Sequence, residues 1–255
     1  MKKLICAAVA GAFALTGAAY ASDIIHFEDD FEAYTDVTEL DLLGPWNPAA
    51  GTWAISDDQN VTPGGEQSLL EAAGDSTTQV TGNFGPVDND DLSLDAPLVA
   101  SYYTYTTAEE ADFAGGSIWY RSGLTIAGYE DGGWGAGELE ELLAFGWYHS
   151  TSRENFSARS AFGGGNWQET DAPLVAQEWV KLEITIDGTE VHFEANDSGD
   201  VLTDSYAVPE TGGWNGIRLG SYLGFGSANE IDIYYDDVVV RQVVDDTDVQ
   251  DWHLY

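Results

Sequence analysis

Cysteine, positive charge and long apolar runs are all scarce in this 255-residue chain. The single cysteine, Cys6, has no second thiol to pair with, so no internal disulfide forms and stability has to come from buried surface. Only 8 residues are Lys or Arg against 45 Asp and Glu, a net charge of −37. A surface this acidic repels nucleic acid and anionic membrane, which excludes both as principal partners. The one long apolar run, residues 4–19, follows Lys2 and Lys3 and ends at Ala19-Tyr20-Ala21, a small-x-small cleavage signal. It is short for a membrane anchor and is followed at once by Ser22 and Asp23. The expectation is a signal peptide over residues 1–21, no membrane insertion, and a product that is secreted, periplasmic or on the cell surface. Helix signals are thin as well. Residues 137–145 have helical spacing but run into Gly146-Trp147-Tyr148, where alternation resumes; residues 65–74 could form a helix in isolation.

What the chain does contain is short alternating segments separated by Gly, Asp and Asn. The clearest cover residues 98–107, 117–125, 142–149, 155–162, 179–186, 190–195, 217–223 and 230–241. This is the pattern of an antiparallel two-sheet sandwich, all β, in a single domain over residues 22–244 with an acidic tail at 245–255. The last strand alternates at Ile231 and Ile233 and turns apolar on both faces at Val238, Val239 and Val240, so it belongs in the middle of a sheet. Asp187-Gly188 reads as a two-residue hairpin turn.

Four segments, FEDDFEAYTD (27–36), GTWAIS (51–56), EWVKLEITIDGTEVHFEAN (178–196) and YYDDVVVR (234–241), resemble the concanavalin A-like lectin/glucanase jelly rolls, in particular LamG-like and related carbohydrate-binding modules. The resemblance implies a jelly-roll sandwich and reads residues 65–74 as a strand. Modules of that fold often carry a structural calcium tying the first strand to the last. The matching positions here are Asp30, Glu32, Asp236 and Asp237, and oxygen ligands from both chain ends suit Ca²⁺.

In a chain this acidic the few cations mark positions to examine. Alternation puts Trp119 with Arg121, Arg159, Lys181 and Arg218 with Tyr222 on the non-core faces of their strands. If Leu143, Phe145 and Trp147 face the core, Tyr148 stands above a small floor of Ala144 and Gly146. Aromatic faces stack on the C–H side of a pyranose, and Arg or Lys donates to hydroxyls or uronate carboxylates. The same residues also read as cationic stems covering rings and pairing with nearby carboxylates. Trp134, Trp167 and Trp214 lie among glycines, as end plugs or stacking platforms. The expected partner is a polysaccharide or other glycan, with Trp134 added to the candidate contacts. A cell-surface spacer or adhesive domain is the competing reading.

A third reading is enzymatic. Glu230-Ile231-Asp232 resembles the opening of the E-x-D-x-x-E motif of glycoside hydrolases of this fold, but Tyr234 and Tyr235 stand where the acid/base glutamate belongs. Retaining hydrolysis needs two carboxyls about 5 Å apart. A polysaccharide lyase would need a Tyr or His base with an Arg on the uronate, parts that Arg121, Tyr148, His149 and Arg159 supply. No lyase motif matches, so no catalytic residue is assigned.

Overall fold

The computed structural model describes residues 23–74, 79–113, 120–130, 138–148, 154–160, 167–210, 212–220 and 230–244, with the side chains of 48–50 and 121 excepted. The first strands are β1 (Ile24–Asp29), β2 (Trp46–Ala50), β3 (Trp53–Ser56), β4 (Ser68–Glu71), β5 (Gln79–Val87) and β6 (Leu98–Thr106). Then come β7 (Arg121–Tyr129), β8 (Leu139–Tyr148), β9 (Asn155–Arg159), β10 (Gln168–Pro173), β11 (Val180–Ile186) and β12 (Glu190–Ala195). β13 (Asp200–Ser205), β14 (Trp214–Gly220) and β15 (Ile233–Gln242) complete the set. Two short helices, α1 (Glu39–Leu43) and α2 (Glu110–Phe113), were not expected from the sequence. No helix among the described residues is long and apolar enough to cross a membrane.

The strands form two antiparallel sheets. The eight-stranded sheet runs β13-β12-β11-β6-β15-β4-β3, with β1 added beside β15; the seven-stranded sheet runs β10-β9-β8-β7-β14-β5-β2. The closing strand is central, as its double-sided apolar end requires: β6 flanks its whole length, while β4 and then β1 share its other side. Between the sheets lie the alternate residues of every central strand. Val180, Leu182, Ile184 and Ile186 are all at most 1% exposed, and Leu143, Phe145 and Trp147 are at 0%. Such inner faces, packed on each other, are what holds a disulfide-free sandwich together.

The core also carries polar bridges from one sheet to the other. Tyr102 donates to the Phe145 carbonyl at 2.8 Å, and Trp147 Nε1 donates to Thr104 Oγ1 at 2.9 Å. Glu71, fully buried on β4, accepts from Tyr235 at 2.8 Å and from the Ser122 hydroxyl across the core. Burial pushes the Tyr235 phenol far up, and the Glu71 carboxylate beside it adds to the effect.

Three details differ from the sequence expectation. Residues 139–148 are strand throughout, because pairing with β7 overrides a helical spacing that lasts only two turns. The β11–β12 hairpin closes at Asp187, whose amide donates to the Glu190 carbonyl at 3.2 Å, so its two loop residues are Gly188 and Thr189, one position later than expected; only Gly188 there has positive φ (+90°), and Asp187 Oδ1 accepts from the Thr189 and Glu190 amides. β15 is interrupted by a bulge at Asp237-Val238, with Asp237 at φ +45°. The extra residue reverses the alternation, so Val238 and Val240 face the core and Val239 faces out.

Candidate functional site

The outer face of the seven-stranded sheet is built from a register that places residues on neighbouring strands in rows. One row reads Arg218 on β14, Thr125 on β7, Ala144 on β8 and Arg159 on β9. The next reads Gly220, Gly123, Gly146 and Ser157. The third pairs Arg121 with Tyr148. Glycine in the middle row is required by packing: a Cβ on Gly123 would sit 2.4 Å from the Phe145 carbonyl oxygen, and one on Gly146 2.4 Å from that of Ser122. The result is a floor of glycine and alanine between Tyr148 and the arginine row.

Trp167, just before β10, lies over that floor, lining a crevice with Gly123, Thr125, Ala144 and Gly220. Its indole stacks on Tyr148 with ring centroids 4.8 Å apart and planes 10° from parallel. Both rings, and Arg159, are half-buried. Beyond them Ala127, Tyr129, Leu142 and Ala144 form a small buried cluster on the outer side of the sheet, against which Trp167 packs. Arg218 faces the same way but is only 2% exposed, held by Thr125 Oγ1 at 2.9 Å and, at 3.5 Å, by Gln79 Oε1. It therefore supports the floor from below the rim.

The structure thus brings Arg121, Tyr148, Arg159 and Arg218 onto one face, at the backbone level for Arg121. Lys181 is placed elsewhere: β11 belongs to the eight-stranded sheet, and the ammonium there pairs with Asp197 at 2.9 Å and Glu183 at 3.3 Å. Burial lowers its pKa, but the two carboxylates outweigh burial and the net shift is upward. Trp119, Trp134, Tyr222 and His149 lie outside the described residues. Trp214 is a plug, 0% exposed and in edge contact with Tyr206. The sequence had Trp167 only as one of three tryptophans in glycine-rich stretches; its stacking partner could not be read from a position nineteen residues away on another strand.

The four positions matched to a calcium site each accept hydrogen bonds from neighbouring groups. Glu32 accepts from Asn60 Nδ2 at 2.7 Å and from the Glu66 and Gln67 amides at 2.9 and 3.0 Å. Asp236 accepts from the Val61 and Thr62 amides at 2.8 and 3.3 Å. Asp30 and Asp237 line one cavity. Among the described residues, Asp187, Glu190 and His192 form the one group of three whose ligand atoms lie within 4.8 Å of one another, and His192 already contacts Asp187 there at 3.2 Å.

No family model matches the chain, and no curated relative does. Among solved structures, the chain is similar to a conserved carbohydrate esterase of the Shiga toxin-encoding bacteriophage phi24B, at 13% identity and TM-score 0.55, over 88% of this chain and 99% of that one. It also aligns with the calreticulin globular domain of T. cruzi (12%, TM-score 0.49, 85% and 87%). A third is domain 4 of an extracellular arabinanase from Geobacillus stearothermophilus, solved with arabinotriose (12%, TM-score 0.49, 87% and 93%). At these identities the likeness is one of fold: the chain is a two-sheet antiparallel β-sandwich of the kind the phage protein also adopts.

Proposed function

We propose that this chain is a secreted, non-catalytic glycan-binding module whose ligand lies on the outer face of the seven-stranded sheet. The observation that carries the reading is the near-parallel Tyr148–Trp167 pair over a floor without side-chain bulk, with Arg159 two rows away. The outward part of these half-buried rings accepts the C–H face of a pyranose, and a guanidinium beside them donates to its hydroxyls. That carbohydrate-linked proteins use this fold, as the phage esterase does, fits the reading without naming a ligand.

Catalysis is not part of the proposal. Tyr234 and Tyr235 occupy the acid/base position of the hydrolase-like motif, and Asp232 and Asp236 on the same strand are engaged by the Ala73 and the Val61 and Thr62 amides. The spacer reading draws on a different observation: the middle of this face, at Arg218, Thr125 and Ala144, is no more than 2% exposed.

Retention on immobilised polysaccharides and a glycan array separates the two. Trp167→Ala is expected to weaken retention at least fivefold while leaving Tm nearly unchanged, with Tyr148→Ala acting the same way. A wild-type protein that binds nothing on the array, or a Trp167→Ala variant retained as well as wild type, overturns the proposal.

A further inference from the structure

The outer face of the eight-stranded sheet carries a second aromatic surface. Tyr105 on β6 is the register partner of Tyr234 on β15, with ring centroids 5.8 Å apart. Trp179, immediately before β11, meets Tyr105 at 5.5 Å. Tyr103 stands two residues along β6 on the same face, about 7 Å away, between Lys181 and Asp236 in register. Tyr103, Tyr105 and Trp179 are half-buried, so part of each ring is presented to solvent. The rings thus run across three neighbouring strands.

Tyr103 also opens onto a cavity of about 290 Å³, lined besides by Glu28, Asp29, Asp30, Ser101, Asp237 and Val239. That is close to the lower end, roughly 300 Å³, of ordinary small-ligand sites. Four carboxylates line it and, among the described residues, no cation does. Asp29 is committed, accepting from the Phe31 amide, Tyr34 and Trp46 Nε1 at 2.5 to 2.8 Å. Asp30 and Asp237 accept one neighbouring donor each, from the Glu32 amide and the Thr62 hydroxyl, and Glu28 is exposed. Two cations on this face are already paired, Lys181 with Glu183 and Asp197 and Arg241 with Asp23.

We propose that this face is a separate binding site for a glycan built of protonated amino sugars, with a pyranose stacked on Trp179 and Tyr105 and a ring ammonium in the acidic cavity beside Tyr103. Each part of that ligand has its counterpart. The rings take the apolar face of a sugar, and an ammonium is attracted both to ring faces and to Asp30 and Asp237. The charge of −37 draws a polycation toward the protein and turns a polyanion away. The site is independent of the Trp167 face, so either can fail without the other.

The test is titration calorimetry on the intact protein at pH 5.5 with four probes: glucosamine oligomers, their N-acetylated forms, neutral glucose oligomers and oligolysine, each with chelator and with millimolar calcium. Glucosamine oligomers are expected to bind at least tenfold tighter than the acetylated and neutral ones and to lose affinity as salt rises. Trp179→Ala and Asp237→Asn are each expected to weaken binding about tenfold. Asn tolerates the positive φ at 237, so a folded variant is expected there even if the Trp179 change disturbs the start of β11. Equal binding of acetylated oligomers, or a loss confined to Trp167→Ala, overturns the proposal. So does oligolysine binding as tightly, which makes the face a basic-peptide surface. Calcium that displaces the oligomer, reversed by chelator, assigns the cavity to the metal and overturns it too.

Discussion

Across the seven-stranded sheet the outer row reads Arg218, Thr125, Ala144, Arg159; across the eight-stranded sheet the outer rows read Lys181, Tyr103, Asp236 and Tyr105, Tyr234. The first face has glycine where a ring could have stood, and its aromatic contact arrives from outside the strands, through Trp167. The second has rings on the strands themselves, with carboxylates filling the gaps between them. The two also differ in how their charges are held. Arg218 is nearly enclosed and accepted by Thr125 and Gln79, whereas Asp236 is enclosed by backbone amides and brings a titratable group to the sheet. One face is set by sterics, the other by carboxylates and responsive to acid.

The steric half of that contrast breaks most visibly at the glycine row. Gly123→Val is expected to cost about 3 kcal/mol or more, because its Cβ would meet the Phe145 carbonyl and the Gly146 Cα, both backbone atoms with no freedom to yield. Ser101→Ala, on the opposite outer face, is expected to stay within about 0.5 kcal/mol. Denaturant unfolding of the two variants side by side checks the pair. Equal effects would mean the floor is no tighter than the face that holds the cavity.

The acid-responsive half is sharpened at Asp236. Burial pushes its carboxyl up to about 6, against the pull of the Val61 and Asp237 amides. A folded-state pKa above the unfolded one means that the native state holds the proton more tightly. Asp236 therefore adds stability at low pH, and that contribution is lost as pH rises from about 4 to about 6. The expected loss is on the order of 2 kcal/mol, with nothing further from this group above that window. Asp236→Asn is expected to flatten this part of the pH profile of Tm. An unchanged profile would show that the amide donors already stabilise the charged form fully.

Much of the fold was legible because period-two alternation survives wherever a strand is regular. The buried set Val180, Leu182, Ile184 and Ile186 and the outward Arg159, Arg218 and Tyr148 all follow from it, and so does the central position of the closing strand. What alternation cannot give is which strands are neighbours. Lys181 points outward as read, yet on the other sheet, so it never joins the arginine row. In the sequence Tyr234 reads as part of the closing strand and as replacing an acid/base glutamate; its pairing with Tyr105 depends on a strand far earlier in the chain. The bulge after Asp236 was not legible either: it leaves both aspartates accepting from the Thr62 hydroxyl, while Asp237 also lines the cavity. Glu71 was unreadable for the same reason, since a carboxylate with no exposure is tolerable only beside the Tyr235 and Ser122 hydroxyls that tertiary structure supplies.

The smallest expected effect lies at the margin of the acid-responsive face, on β12. His192 stands between Asp200, 2.8 Å from Nδ1, and Asp187, 3.2 Å from Nε2, with Thr203 also in reach of Nδ1. Burial lowers its pKa, but these carboxylates outweigh burial and leave it raised, while Asp187 is lowered to about 2. With the imidazole pKa raised in the folded state, the ion pairs contribute fully below pH 6.5 and are lost as pH climbs through the folded value. Both pairs are partly open to water, so the contribution is expected to be under about 1 kcal/mol. Tm should therefore step down a second time above pH 6.5, separate from the Asp236 step, and His192→Gln should remove only this upper one. A single step, or two that vanish together in either variant, would mean that His192 and Asp236 titrate as one network and that the acidic face is continuous from β12 to β15.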